Sequence, residues 1–126
     1  MGVEAFQFTG RRALVVGGAS GIGAAAAKIL RELGAEVVVM DYAEVMLPEV
    51  ESIKLDLRDK ASIDAAVGQC SGPIHALLSC AGVADGTPGI ERINFIGQRH
   101  LIERVMNERK MPRGSAIAMI SSVAGL

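Results

Sequence analysis

The stretch VVGGASGIG, residues 15–23, decides how this chain folds, because an apolar run passes there into a glycine-rich segment that includes Gly17, Gly21 and Gly23. Residues 12–18, RALVVGG, predict a short buried strand. Residues 21–34, GIGAAAAKILRELG, predict a helix, since their apolar positions recur with helical spacing. The glycines therefore lie in a turn from a strand into a helix.

Such a turn is suited to holding phosphate. The first N–H groups of a helix have no partner within it, and the helix dipole places partial positive charge at the same end. A pyrophosphate can use both when no side chain blocks its approach. We expect Gly17 to permit the sharp turn, Gly21 to let the backbone approach the ligand, and Gly23 to let the helix pack closely on the sheet. A tight turn without a ligand is the alternative.

The next predicted strand, EVVVMD (residues 36–41), ends on an acidic residue, Asp41, 20 residues after Gly21. A carboxylate there can accept hydrogen bonds from both hydroxyls of an adenosine ribose, and it repels a 2′-phosphate. Tyr42 rather than an arginine follows it, and residues 18–20 (Gly-Ala-Ser) carry no base. These features favour NAD over NADP, although Asp41 capping the strand end is the alternative.

The remaining chain continues the alternation of strands and helices. Pro48 argues against a regular helix after Asp41. Asp59 is placed to cap a helix, and Gly34 to end the first one. The pattern predicts strands over 53–57, 74–82 and 114–126, and helices over 59–70 and 89–109. This order predicts an α/β fold, a Rossmann-type doubly wound parallel sheet in three layers, α/β/α, within a single domain over residues 1–126.

Helical spacing also predicts which side chains form the core. In the first helix these are Ile22, Ala26, Ile29, Leu30 and Leu33; in the longest helix they are Phe95, Ile96, Leu101, Ile102, Val105 and Met106. The methionines are expected to fill gaps in the core. Cys70 and Cys80 are expected to be buried thiols in a reducing compartment, since their spacing suits neither a metal nor a redox motif.

Composition excludes other classes of protein. The 126 residues carry a net charge of −1 and 3% aromatic residues, so neither a basic surface nor a base-stacking platform for nucleic acid is expected. The sequence has no apolar run long enough to cross a bilayer, and its first residues lack the apolar core of a signal peptide. We therefore expect a cytoplasmic protein without nucleic-acid or membrane partners.

Five segments, taken in order, resemble the short-chain dehydrogenase/reductase family. VGGASGIG (16–23) matches the family's T-G-x-x-x-G-x-G, with Val16 in place of threonine. LDL (55–57) is similar to its adenine-contacting Asp-Leu pair, and SCAG (79–82) to N-N-A-G, with Ser79 and Cys80 replacing both asparagines. INFIG (93–97) resembles N-x-x-G, and AMISSVAG (118–125) resembles the strand end that carries the family's serine.

The resemblance implies an NAD-dependent oxidoreductase that transfers hydride between a secondary alcohol or ketone and nicotinamide. It implies that Asn94 kinks its helix and holds a water in a proton relay, and that Ser122 orients the substrate carbonyl. In family enzymes the long helix often packs against its twin, which implies a homodimer or homotetramer. The cofactor-binding residues so implied are Gly17, Ala19, Ser20, Gly21, Ile22, Gly23, Asp41, Asp56, Leu57, Cys80, Ala81 and Gly82.

Two short spacings in the sequence are similar to those of one subgroup of this family. Only 14 residues separate Asp41 from Asp56, and only 11 separate Gly82 from Asn94. In these loop lengths the chain is similar to bacterial 3α-hydroxysteroid dehydrogenase/carbonyl reductase and its relatives, which implies a steroid as one candidate substrate.

The family's acid/base pair, Tyr-x-x-x-Lys, is expected beyond Ser122. The single tyrosine, Tyr42, lies on the cofactor side and has Met46 rather than a lysine four residues on. We therefore expect these 126 residues to be the N-terminal half of the fold, truncated before the Tyr-Lys helix and inactive alone. Two alternatives stay open: a nucleotide-binding Rossmann module without catalysis, and a methyltransferase, against which the glycine spacing argues.

Overall fold

The computed structural model describes residues 7–84 and 86–120, which form a parallel sheet flanked by helices. The strands are β1 (Arg12–Val16), β2 (Glu36–Asp41), β3 (Glu51–Lys54), β4 (Ala76–Ser79) and β5 (Ala116–Met119). The α-helices are α1 (Gly21–Glu32), α2 (Lys60–Gln69) and α3 (Gly97–Asn107), and a π-helical segment, Arg92–Ile96, leads directly into α3.

The five strands lie in the order β3-β2-β1-β4-β5, and every neighbouring pair is parallel. Because the chain first builds outward to β3 and then crosses back to β4, the strand order reverses between β1 and β4. In open parallel sheets a crevice forms beyond the carboxyl ends of the strands at such a reversal. The topology thus places a crevice next to the glycine turn.

Alternate residues of the central strands pack on opposite faces of the sheet. Leu14 and Val16 of β1 pack with α2 and α3, whereas Val15 packs with Ala27 of α1. The same alternation in β2 makes Val37, Val38, Val39 and Met40 a continuous buried run. The predicted three-layer, doubly wound α/β fold is confirmed.

The core face of α1 differs from the prediction. The helix packs on the sheet through Gly23 and Ala27, which are its buried residues, while Ile22 is 63% exposed and Ile29 is 54% exposed. Small residues one turn apart let the helix axis lie close to the sheet, and this turns the larger side chains on either side of them outward. The prediction that Ile22 and Ile29 belong to the core is therefore wrong.

The long helix also buries fewer residues than predicted. Leu101 and Val105 are buried, but Phe95, Ile96 and Met106 are each more than half exposed. The cause at Phe95 and Ile96 is the π-helical segment, whose i→i+5 turns change the angular spacing of side chains and rotate these two away from the core. Helical spacing of 3.6 residues per turn does not apply across such a segment.

Other local predictions have mixed outcomes. Gly34 has a φ of +95° beyond the end of α1, and Asp59 caps α2 by accepting from the Ala61 N–H, as predicted. The third strand lies at Glu51–Lys54, earlier than the predicted 53–57, because its register pairs Lys54 with Asp41. Cys70 is buried but Cys80 is only half-buried; Met40 is in the core, whereas Met46, Met106 and Met119 are exposed.

Strand β5 is exposed along all four residues. No helix in the part of the chain that the structure describes is long and apolar enough to cross a membrane.

Candidate functional site

A cleft of about 450 Å³ lies at the carboxyl ends of β1, β2 and β4, where the strand order reverses. The end of each of these strands contributes to it, together with the start of α1 and the segment after β3. Ten of the residues predicted to bind cofactor line this cleft: Gly17, Ser20, Gly21, Ile22, Asp41, Asp56, Leu57, Cys80, Ala81 and Gly82.

The glycine turn, residues 17–23, is held by two contacts that a side chain would prevent. Gly17 has a φ of +83°, and a Cβ built on it would lie 2.5 Å from the backbone of Ala81. A Cβ on Gly23 would lie 2.0 Å from the Gly17 carbonyl oxygen. Gly17 is therefore packed against the segment after β4, and the start of α1 is packed against Gly17, which requires glycine at these two positions.

Gly21 and Ser20 open the turn toward the cleft. A Cβ on Gly21, where φ is +57°, would meet nothing within 4 Å. Within the described residues the Ser20 side chain makes no capping hydrogen bond, so the first N–H groups of α1 face the cleft without a side-chain partner. A pyrophosphate fits this end of the cleft, because the site combines open space, free donors and the positive end of a helix dipole.

Asp41 is fixed at the mouth of the cleft by two backbone donors. Its Oδ2 accepts from the Ala19 N–H at 2.9 Å, and its Oδ1 accepts from the Ala43 N–H at 2.9 Å. Each carboxylate oxygen retains acceptor capacity for a second donor. Asp41 thus joins the glycine turn to β2 and can still accept from two adjacent hydroxyl groups.

Two cations that sequence reasoning missed lie beside Tyr42, the residue that follows Asp41. The Lys54 Nζ lies 4.4 Å from the centre of the Tyr42 ring and donates to the Tyr42 carbonyl, and the Arg58 guanidinium carbon lies 5.4 Å from the ring centre. We call Tyr42, Lys54 and Arg58 the cationic rim. The pairing of Lys54 with Asp41 across β2 and β3 creates it, and that register follows only from the folded sheet.

The Asp56 carboxylate forms a salt bridge with the Arg58 guanidinium. The Arg58 Nε lies 3.0 Å from Asp56 Oδ1 and its Nη2 lies 3.2 Å from Oδ2, and the Arg58 backbone N–H also donates to Oδ1. These hydrogen bonds lower the pKa of the Asp56 carboxyl and raise that of Arg58. Asp56 is therefore ionised at neutral pH, and the pair contributes little net charge to the cleft.

Opposite the glycine turn stands the segment that follows β4. We call residues 80–83 the β4 wall. Asn94, in the π-helical segment, accepts from the Val83 N–H at 2.9 Å and donates to the Val83 carbonyl at 3.0 Å. Burial raises the pKa of the Cys80 thiol, so this side chain is neutral at physiological pH.

Comparison with known protein families identifies the family of this chain. The family model for short chain dehydrogenases matches residues 11–126. The chain belongs to the short-chain dehydrogenase family. The glycine turn and every residue that lines the cleft lie within the matched residues.

Individual proteins and solved structures are also similar to this chain. Coniferyl-alcohol dehydrogenase of a Pseudomonas species is 34% identical over 122 residues, which cover 94% of this chain and 47% of that protein. A solved Serratia marcescens short-chain dehydrogenase/reductase superposes with a TM-score of 0.78 at 30% identity, covering 91% of this chain and 58% of that one. RhlG of Pseudomonas aeruginosa, solved as an active-site complex with NADP, gives 0.79 at 26% identity and covers 95% and 56%. The chain spans about half the length of the curated relatives it matches.

Not every residue implied by the family resemblance lies in the cleft. Ala19 acts behind the cleft by donating to Asp41, and Gly23 packs against the turn. Asn94 lies next to Ile93, which lines the cleft, while its own amide is engaged with Val83. Ser122 lies outside the described residues.

Proposed function

We propose that this chain provides the dinucleotide-binding half of an NAD-dependent oxidoreductase that transfers hydride between a secondary alcohol or ketone and nicotinamide. The observation that carries the proposal is Asp41, whose carboxylate is fixed at the mouth of the cleft by the glycine turn itself. Membership of the short-chain dehydrogenase family supports it. When bound, the nicotinamide ring supplies the carbon that accepts or releases the hydride.

Each part of the cleft would hold one part of the dinucleotide. The start of α1, with Ser20, Gly21 and Ile22, would bind the pyrophosphate through backbone N–H groups. Asp41 would accept from the adenosine ribose hydroxyls. Asp56 and Leu57 would border the adenine, and the β4 wall would border the second ribose. All four elements belong to one connected surface.

Charge at the adenosine end favours NAD over NADP. The Asp41 carboxylate would repel a 2′-phosphate at the distance at which it accepts from a ribose hydroxyl. The cationic rim opposes this preference, because its positive charges attract a 2′-phosphate. RhlG, a structural relative, was solved as a complex with NADP. However, Arg58 is paired with Asp56, and Lys54 donates to the Tyr42 carbonyl. The rim is thereby engaged with the protein, and Asp41 dominates.

The reacting end is proposed from the resemblance to the family. Asn94 would serve in a proton relay and Ser122 would orient the substrate carbonyl, next to a Tyr-x-x-x-Lys pair in the complete enzyme. 3α-Hydroxysteroids, which are secondary alcohols, are the first substrates to test, because of the loop lengths. Coniferyl alcohol, a primary alcohol, is tested as the alternative, because a 34% identical relative is a coniferyl-alcohol dehydrogenase. We further propose a cytoplasmic homodimer or homotetramer that packs through α3.

Tyr42 offers a direct test of binding. It is the only tyrosine, the chain has no tryptophan, and the residue lines the cleft at the adenosine end. We expect its fluorescence, corrected for absorption by the nucleotide, to change on titration with NAD and much less with equal NADP or S-adenosylmethionine.

The matched variants are Asp41→Asn, at the end of β2, and Glu44→Gln, three residues later in the loop, which each remove one negative charge. We expect Asp41→Asn to weaken NAD binding about tenfold, the loss typical of a charged hydrogen-bond acceptor, and to reduce the preference over NADP. Glu44→Gln should bind as the parent protein does. If NADP binds the parent as tightly as NAD, the cofactor assignment is wrong.

Turnover is tested on the natural gene product. Reduction of NAD in the presence of a 3α-hydroxysteroid would support the proposed reaction, whereas reduction with coniferyl alcohol alone would place the reaction on a primary alcohol. Tight NAD binding without turnover on any alcohol would instead favour a nucleotide-binding module.

A further inference from the structure

Gln98 is one of only two buried polar residues among the described residues, and neither motif nor spacing marks it in the sequence. Its side chain is 5% exposed and lies at the start of α3. The Gln98 Nε2 donates to the Ala81 carbonyl at 2.7 Å and to the Ile93 carbonyl at 2.8 Å, and its Oε1 accepts from the Ser79 hydroxyl. Both amide protons are therefore used on residues at the edge of the cleft.

These bonds replace strand pairing at the point where it stops. β4 pairs with β1 as far as Ser79, and the Cys80 N–H still donates to the Val16 carbonyl. Farther along the β4 wall, the Ala81 carbonyl is bound by Gln98, and both backbone groups of Val83 are bound by Asn94. Two amide side chains four residues apart thus hold the wall onto the π-helical segment.

The position of Ala81 sets how wide the cleft is. The Gly17 position leaves no room for a Cβ, because one would lie 2.5 Å from the Ala81 backbone. A displacement of the wall by a few tenths of an ångström would therefore change the contact between the glycine turn and the wall. Gln98 is the buried side chain that fixes Ala81 in this contact.

We propose that Gln98 is the positioning residue of the dinucleotide cleft. It holds the β4 wall at the distance from the glycine turn that the cofactor requires, and it does so by tying the Ala81 carbonyl to the carbonyl of Ile93. The role in cofactor binding rests on the proposed function, whereas the role in holding the wall does not. The two are tested by separate measurements.

The two cysteines report on the wall without any cofactor. Cys80 lies in the β4 wall and is half-buried, while Cys70 is buried at the end of α2. In Gln98→Leu and Gln98→Glu we expect a thiol reagent to label Cys80 about tenfold faster or more, since loss of a buried hydrogen bond changes local opening by about this factor. Labelling of Cys70 should stay at the parental rate. The matched control is Gln7→Glu, at an exposed position.

The Gln98→Glu variant adds a readout that general destabilisation would not give. An ionised carboxylate would face the Ala81 and Ile93 carbonyl oxygens and repel them. The protonated form can donate one hydrogen bond, and burial raises the pKa of such a carboxyl. Hence we expect protection of Cys80, measured as the ratio to the parent at each pH, to recover as the pH is lowered toward 6 in Gln98→Glu but not in Gln98→Leu.

Dinucleotide affinity is the second measurement. Both Gln98 variants should bind NAD at least about tenfold more weakly than the parent, and Gln98→Glu should regain affinity at lower pH. The positioning role is overturned if Cys80 labelling is unchanged, if Cys70 and Cys80 accelerate equally in both variants, or if Gln98→Glu shows no recovery in acid. If the parent protein binds no dinucleotide, the proposed function fails, while the labelling experiment still decides whether Gln98 holds the wall.

Discussion

The two sides of the cleft are built by opposite means. On one side, the glycine turn reaches its position because Gly17 and Gly23 have no side chains, and the backbone packs into the space that Cβ atoms would occupy. On the other side, the β4 wall is held by the amide side chains of Asn94 and Gln98, which bind backbone groups that none of the described strands pairs. The glycine turn depends on the absence of Cβ atoms at two positions, whereas the β4 wall depends on hydrogen bonds from two amide side chains.

This difference determines how each side should respond to mutation. Close packing of backbone against backbone cannot relax, so an added methyl group forces a large shift. By contrast, loss of a hydrogen bond between the wall backbone and a side-chain amide lets the β4 wall move locally without displacing the core. The glycine side should therefore tolerate almost no change, and the wall should loosen by degrees.

The largest effect is expected at the tightest glycine contact. Gly23→Ala places a Cβ 2.0 Å from the Gly17 carbonyl oxygen, and the fold should lose about 3 kcal/mol or more of unfolding free energy. The control is Gly68→Ala in α2, where a Cβ meets nothing within 4 Å and alanine should stabilise the helix by up to about 1 kcal/mol. Urea unfolding of both variants measures the contrast. A Gly23→Ala protein as stable as the parent would remove the argument from close packing.

An intermediate effect is expected on the wall. Asn94→Ala removes both bonds to Val83, and because Asn94 is exposed, the loss should be about 1 kcal/mol. Asn107→Ala, at the exposed end of α3, is the control and should have almost no effect. Hydrogen exchange at the Val83 amide gives the local measure. Exchange that is no faster in Asn94→Ala would show that the wall is held by other contacts.

The smallest effect concerns the helix that carries Gln98. Asp64 of α2 accepts from His100 Nε2 at 2.7 Å and from Arg104 Nη1 at 2.8 Å, and the hydrogen bond to His100 lowers the pKa of the Asp64 carboxyl. A carboxyl whose pKa is lowered by folding stabilises the folded state above its unfolded pKa, and this contribution disappears as the pH falls through the folded value.

Asp64→Asn should therefore lower the Tm by no more than about 1–3 °C at pH 7, since Asp64 and its two partners remain partly exposed to solvent. The difference from the parent should shrink as the pH is lowered from about 5 to about 3, below the ordinary carboxyl pKa. Thermal unfolding at several pH values measures it. A difference that stays constant with pH would mean that the ionised carboxylate does not contribute.

The sequence marked the glycine side of the cleft and Asp41, and the family resemblance marked Cys80, Ala81 and Gly82 on the other side, but two side chains that flank or hold these residues were missed. The glycines and the acidic residue are found from local pattern, because a turn from strand to helix and the residue that ends a strand are set by neighbours along the chain. Lys54 and Gln98 were missed, since their partners, Tyr42 and Ala81, are remote in sequence and depend on strand register and on the π-helical segment.

The same distinction explains the core. By itself, the sequence determined the order of strands and helices, the buried run of β2, and the fold class, because these follow from backbone preferences and from the period of apolar residues. Only the tertiary structure decided that Ile22 and Phe95 are exposed, and that an amide at Gln98 holds the wall of the cleft. The physical reason is that the spacing of apolar residues along the sequence identifies only which face of a helix is apolar. Which residues of that face are covered depends on how closely and at what angle the helix packs on the sheet, which Gly23, Ala27 and the π-helical segment set here.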